Sequence, residues 1–293
     1  MINPGRMITA MVTPFDDRAQ LSEESTKRLV NHLVETGSDC ILVSGTTGES
    51  PALYDDEKLK LLKWVRSSVP ANFPVMFGAG TNSTDKSIDL GLKAKDAGAD
   101  ILLLVVPYYN KPPQEGIYAH FSLIADSVQM PCILYNIPSR TGVNMNTDTV
   151  LQLTENEFIV GIKEASGNID AVTELRIYAP DGFLIYSGDD SLTLPVLSAG
   201  GDGVISVASH IVGKKLKEMI GSFFSGDIAR AQKIHLNLFP VFKGLFLTTN
   251  PIPVKEALNQ MGIDVGSVRP PLVECDNDMK DKLTVILKSN NVL

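Results

Sequence analysis

Lys163 stands where a lysine is expensive. Residues 158–162, FIVGI, form an apolar, β-branched run of strand length, and Lys163 follows with no break before Glu164-Ala165-Ser166-Gly167. An ammonium at the end of a buried strand loses hydration. Burial disfavours the charged form, so the amine titrates closer to neutrality. A neutral amine attacks a ketone to give an imine, and the protonated imine then withdraws electrons from the neighbouring carbon. A plainer reading stays open: the side chain snorkels to solvent or pairs with a carboxylate such as Glu164. The other lysines fall in polar, helix-like or turn-like stretches, as in EKLKLLK and GKKLKE, so Lys163 stands apart from them.

Imine chemistry moves a proton at each step, and hydroxyls cluster in comparable places. Tyr135 ends one predicted strand and Tyr108-Tyr109 follow another. A phenol passes a proton without resting charge; equally, each could be a packed ring with a bonded hydroxyl. The stretch GTTGES, residues 45–50, offers the adjacent hydroxyls of Thr46 and Thr47, backbone N–H groups and glycines. It can hold a carboxylate or relay protons, or simply make a tight turn into a helix. Arg140, in PSRTG, can clamp a second carboxylate in bidentate fashion or be an exposed loop arginine. His32, His120, His210 and His235 lack HExxH or paired-ligand spacing, so structural roles are expected of them, and no metal or cofactor is.

The elements that must carry these residues alternate along the chain. Apolar runs of strand length are predicted at Ile8–Thr13, Cys40–Ser44, Val75–Phe77, Ile101–Val106, Cys132–Tyr135, Phe158–Ile162, Phe183–Tyr186 and Gly203–Val207. Segments of helical period lie between them, several opened by Ser, Asp or Asn and several closed by Gly. Eight βα units predict an α/β fold, a (β/α)8 TIM barrel over 1–226, with 227–293 as a C-terminal helical extension of three helices packed on it. A doubly wound open sheet would carry a glycine-rich turn after its first strand, and MVTPFDDR is unlike one. Barrel active sites lie at the carboxyl ends of the strands. The stretches expected there are GTTGES, GAGTNST, PYYNKP, YNIPSRTG, KEASGN and SGDD. Asp189-Asp190, after the seventh strand, would repel a phosphate.

Composition narrows the setting. The chain has 293 residues, 44% hydrophobic and 20% charged, with a formal net charge of −8. That is a globular composition without a basic stripe, so nucleic acid is not an expected partner. MINPGRMITAMVTPF has no secretory apolar region, and the apolar stretch DILLLVVPYY is too short to span a bilayer. Cys40, Cys132 and Cys275 are far apart, which predicts buried, reduced thiols in a cytoplasmic protein rather than a disulfide framework.

GTTGES, PYYNKP, YNIPSRTG, GIKEASGN and GGDGVISV, in this order and spacing, resemble the dihydrodipicolinate synthase branch of the pyruvate-dependent class I aldolase superfamily. The resemblance runs from about Ile8 through the C-terminal helices. It implies a lyase that condenses pyruvate with L-aspartate 4-semialdehyde to give 4-hydroxy-tetrahydrodipicolinate, at the entry to diaminopimelate and lysine biosynthesis. It also implies a homotetramer built as a dimer of dimers. Carried over, Lys163 forms the Schiff base. Tyr135, Thr46 and Tyr109 relay protons, with Tyr109 reaching into the neighbouring subunit's site. Thr47 binds the pyruvate carboxylate, Arg140 the semialdehyde carboxylate, and Gly188 and Ile205 line the pocket. An effector site for lysine, found in some members, would use Ser50, Asn82 and Tyr108. Here Asp55 and Lys58 stand where histidines are found, and Lys86 where a glutamate is found.

Three rivals are separable. A sister N-acetylneuraminate lyase would share Lys163 and Tyr135 but typically lacks the arginine at 140. A catalytically idle binding paralogue should have lost one of Lys163, Tyr135 or Arg140. A metal-dependent aldolase or hydrolase would be sensitive to chelation.

Overall fold

Each of the eight apolar runs is a strand in the computed structural model, which describes residues 3–293. The strands are β1 (Met7–Ala10), β2 (Cys40–Val43), β3 (Val75–Gly78), β4 (Ile101–Val105), β5 (Cys132–Asn136), β6 (Ile159–Glu164), β7 (Leu184–Ser187) and β8 (Gly203–Ser206). All pair in parallel, each with the next, and β8 pairs with β1, so the sheet closes into a barrel. Closure excludes the open-sheet alternative. Boundaries shift by a few residues: β1 begins at Met7 and ends before Met11, and β6 runs through Lys163 to Glu164 instead of stopping at Ile162.

Because side chains alternate faces along a strand, each strand feeds two cores. Leu103 of β4 packs inside the barrel with Leu42, Ile133, Tyr135 and Ile205, while Leu102 and Leu104 pack outward under the helices. Both faces are covered, which is why the strands read as continuous apolar runs rather than alternating ones. The helices start where side-chain caps were expected. Ser22, Ser83 and Asn168 each accept a backbone N–H in the first turn of the helix that follows.

At the amino ends of the strands one device recurs. Asp39, Asp100 and Asp202 each accept the backbone N–H of a neighbouring strand: Met7, Val75 and Ile185 respectively. Each is also paired with a cation, Lys217, Arg66 or Arg176. Barrels keep stability at this end and chemistry at the other.

Between β5 and β6 the register slips. Cys132 pairs with Ile159, but Ile133 pairs with Gly161, so Val160 is an extra residue on β6. Since faces alternate, an unbroken register would have set Lys163 beside Asn136. The bulge instead sets Lys163 beside Tyr135, and across the other edge beside Tyr186. Gly161 makes the bulge possible, because a Cβ there would lie 2.6 Å from the Leu184 carbonyl oxygen.

Three helices follow residue 226, at Ile228–Gly244, Ile252–Gln260 and Asn277–Ser289. No helix among the described residues is long and apolar enough to cross a membrane. Cys40, Cys132 and Cys275 are buried free thiols, all pushed up by burial.

Candidate active site

Lys163 is 6% exposed, and its Nζ stands 4.2 Å from the centroid of the Tyr135 ring. Burial brings its pKa down to about 7, with the Arg140 charge acting in the same direction and the buried Asp190 carboxylate opposing. The neutral amine is therefore accessible near physiological pH. The pairing with Glu164 left open by the sequence is not made. Glu164 accepts hydrogen bonds from Asn136 Nδ2 at 3.0 Å and from the Ser166 backbone N–H.

Tyr135 is 4% exposed. Burial pushes its phenol up to about 12, against the Arg140 charge and a hydrogen bond with Thr46, which pull it down. The phenol is thus protonated at rest. Gly188 follows β7 and leaves the space that Lys163 uses. A Cβ at 188 would come within 3.1 Å of Lys163 Cε and 2.6 Å of Ala165 Cβ. Ile205 is 1% exposed and packs in the inner barrel core with Tyr135.

The 45–50 loop holds Thr46 and Thr47 on a tight frame. Glu49 N–H donates to the Thr46 carbonyl and Ser50 N–H to the Gly45 carbonyl. Ser44 and Glu49 both sit in the left-handed region, at φ 59° and 57°. Such strained non-glycine backbone clusters at functional sites and persists only where the surroundings hold it. Here Thr13 Oγ1 donates to the Gly48 carbonyl at 2.6 Å, and Glu49 is gripped from the C-terminal helices.

Arg140 lies in a short helical turn, Pro138–Thr141, after β5. It is exposed and lines a cavity of about 250 Å³ together with Thr46 and Tyr135. Its guanidinium forms no ion pair among the described residues, so it is free to take a carboxylate. Ser50, Lys58 and Tyr108 line the same cavity. Lys58 is 7% exposed and its ammonium is held by Asp55 at 2.9 Å. Lys86 is exposed and does not line it. Thr47, Lys163, Gly188 and Ile205 are not part of that lining either.

Tyr109 is an expected site residue that its own chain does not bring in. It is 89% exposed, at φ 73°, on the loop after β4. A bulky residue held in that conformation with its ring in solvent is not explained by packing within its own chain.

Several residues were not visible from the sequence. Lys163 is not the only buried lysine. Lys255 is 2% exposed, paired with Glu49 at 2.9 Å, and brought down to about 8 by burial. Asp190 does more than present a charge after β7. It is 2% exposed and accepts hydrogen bonds from Ser206 Oγ and from the Val207 and Ala208 N–H groups. Burial nevertheless pushes its carboxyl above the usual range. His210 is a structural histidine, as its sequence context suggested. Its Nε2 accepts the Val12 N–H, which leaves the proton on Nδ1 to bond the Val207 carbonyl.

A closed parallel barrel with a near-neutral amine beside a phenol, at the carboxyl ends of its strands, has the construction of an amine-dependent barrel lyase. The chain belongs to the dihydrodipicolinate synthetase family, whose model matches residues 3–290. A 4-hydroxy-tetrahydrodipicolinate synthase of Heliobacterium modesticaldum is 53% identical, over 97% of this chain and 95% of that one. The crystal structure of a Bacillus anthracis dihydrodipicolinate synthase superposes with a TM-score of 0.97 at 46% identity, covering 99% of both chains. That of a Cyanidioschyzon merolae homologue with lysine bound superposes equally well, with a TM-score of 0.97 at 44% identity and 99% of both chains covered.

Proposed function

We infer that this chain condenses pyruvate with L-aspartate 4-semialdehyde to form 4-hydroxy-tetrahydrodipicolinate, the entry step of diaminopimelate and lysine biosynthesis. One observation carries the reading: the amine of Lys163 is buried with its Nζ 4.2 Å from the centroid of the buried Tyr135 ring, and that burial favours the neutral amine beside a protonated phenol.

The steps follow from these groups. Neutral Lys163 attacks the pyruvate ketone to give a carbinolamine. Tyr135 donates a proton to the departing hydroxyl, which leaves as water, and recovers one through Thr46. The protonated imine makes the pyruvate methyl group acidic, and loss of a proton gives an enamine. The enamine carbon attacks the semialdehyde aldehyde, forming the new C–C bond while the aldehyde oxygen takes up a proton to become the hydroxyl. The semialdehyde's own amino group then attacks the imine carbon, closing the ring and expelling the Lys163 amine. Thr47 holds the pyruvate carboxylate and Arg140 the semialdehyde carboxylate. Gly188 and Ile205 shape the pocket beside the amine. Tyr109 completes the relay of a neighbouring subunit, which accounts for its exposed, strained position. The assembly is a homotetramer arranged as a dimer of dimers, in the cytoplasm, with pyruvate and L-aspartate 4-semialdehyde as its small-molecule partners.

Purified protein supplied with both substrates should form product, and should not cleave N-acetylneuraminate. Sialate cleavage without synthase activity would overturn the assignment in favour of the sister lyase.

Arg140→Ala should raise the KM for the semialdehyde by about 10- to 100-fold, the range for a hydrogen-bonded contact to a charged group. The KM for pyruvate should change little. Steady-state kinetics in both substrates decide it, and an unchanged semialdehyde KM would reduce Arg140 to a loop residue.

Feedback by L-lysine should be weak or absent. Lys58 lines the cavity beside Tyr108, so an effector ammonium entering it would meet a side chain of like charge. Lys86 adds a further positive charge where relatives offer a glutamate. Asp55 is engaged by Lys58 and so compensates little. Titration of L-lysine at fixed substrates tests this: saturating inhibition below about 1 mM, roughly 4 kcal/mol of binding, would show a working effector site.

A further inference from the structure

Thr47 is held by a residue from far along the chain. Its Oγ1 accepts a hydrogen bond from Asn250 Nδ2 at 2.9 Å, with Thr47 3% and Asn250 5% exposed. Asn250 Oδ1 is buried and unpartnered among the described residues, so the bond to Thr47 is the amide's one side-chain anchor there. A threonine hydroxyl has one proton and two lone pairs. Asn250 occupies a lone pair and, being a donor at that atom, cannot take the proton. The Thr47 hydroxyl donates to no other group among the described residues. One of its two lone pairs is taken by Asn250 and its proton is unspent, the arrangement that suits donation to an anion.

Both ends of this contact are fixed. Asn250 lies just before the helix Ile252–Gln260, which carries Lys255. Lys255 Nζ donates to Glu49 Oε1 at 2.9 Å, and the Arg269 N–H donates to Glu49 Oε2 at 2.8 Å. The C-terminal segment therefore grips the loop at two alternate residues, 47 through Asn250 and 49 through Lys255. Breaking a buried pair such as Lys255–Glu49 would strand a charge, which makes the grip costly to release.

We propose that Asn250 is a positioning residue for the pyruvate carboxylate: by donating to Thr47 it directs the Thr47 proton at the substrate. This rests on the reading of Thr47 as the carboxylate ligand. The C-terminal segment thereby belongs to the substrate site, although it carries none of the groups that react.

The test compares Asn250→Ala, Asn250→Asp, Thr47→Ala and the Asn250→Ala/Thr47→Ala double variant at pH 8, with KM and kcat measured for each substrate and thermal unfolding as a control. Asn250→Ala should raise the pyruvate KM about tenfold, the loss of one hydrogen bond, and leave the semialdehyde KM within about twofold. Asn250→Asp, nearly isosteric, replaces the donor by an acceptor that captures the Thr47 proton and repels a carboxylate, so the pyruvate KM should rise further, about 100-fold. In the Thr47→Ala background Asn250→Ala should add nothing, because the two act as one unit. A merely structural asparagine would lower stability or active fraction without singling out one substrate's KM. If Thr47→Ala raises the pyruvate KM but Asn250→Ala does not, or if the Asn250→Ala effect persists undiminished without Thr47, the inference fails while the reading of Thr47 stands. If Thr47→Ala leaves the pyruvate KM unchanged, the reading of Thr47 fails and takes this inference with it.

Discussion

Replacing Lys163 by alanine is expected to lower kcat by at least about 10⁴-fold, the scale on which enzymes lose activity when a covalent nucleophile is removed. No neighbouring group can substitute. Glu164 is committed to Asn136 and Ser166, and Lys255 is tied to Glu49. The wild-type enzyme should report the same amine through pH. Lys163 titrates at about 7 because burial penalises its charged form, so the reactive neutral amine is gained as pH rises through that value. Rates of imine formation under single-turnover conditions should fall about tenfold per pH unit below 7 and level off above about 8. A rate that stays flat from pH 5 to 8 would mean that free Lys163 is not the group that attacks.

The second large effect belongs to Tyr135. Tyr135→Phe removes one oxygen from a ring that is 4% exposed, so the fold should survive while kcat drops by about 10²–10⁴-fold, the usual contribution of a positioned proton donor. The phenol's own pKa, raised to about 12, keeps it protonated across the working range, so the tyrosine should add no second inflection to the pH profile below 9. Kinetics of the variant with folding checked by circular dichroism measure this. Activity within about fivefold of wild type would leave proton transfer to water or to Thr46 alone.

The strands were legible because both of their faces are buried and they read as unbroken apolar runs. The barrel followed from their number and alternation with helices. Lys163 was visible as an oddity, but its direction was not. A sequence carries no sign that Val160 is extra on β6, and without that slip the lysine would lie beside Asn136 and not Tyr135. Lys255 was hidden for the opposite reason. It falls in PVKEALNQ, a polar helical stretch in which nothing marks one lysine as buried, and its partner Glu49 lies in a distant loop. Asn250 and Thr47 are likewise joined only by the fold. Asp190 read only as a charge that would repel a phosphate, whereas it caps backbone donors of the β8 loop from inside. Tyr109 shows the reach of a single chain. Its role was implied by resemblance, and within one subunit it faces solvent.

Reductive trapping tests the central claim most directly. The protein is incubated with pyruvate, reduced with borohydride, digested and sequenced by mass spectrometry. One pyruvate-derived group per chain should appear, carried by Lys163, and Lys163→Ala should carry none. An adduct on Lys255 or any other lysine, or an active enzyme that cannot be trapped at all, would contradict the account.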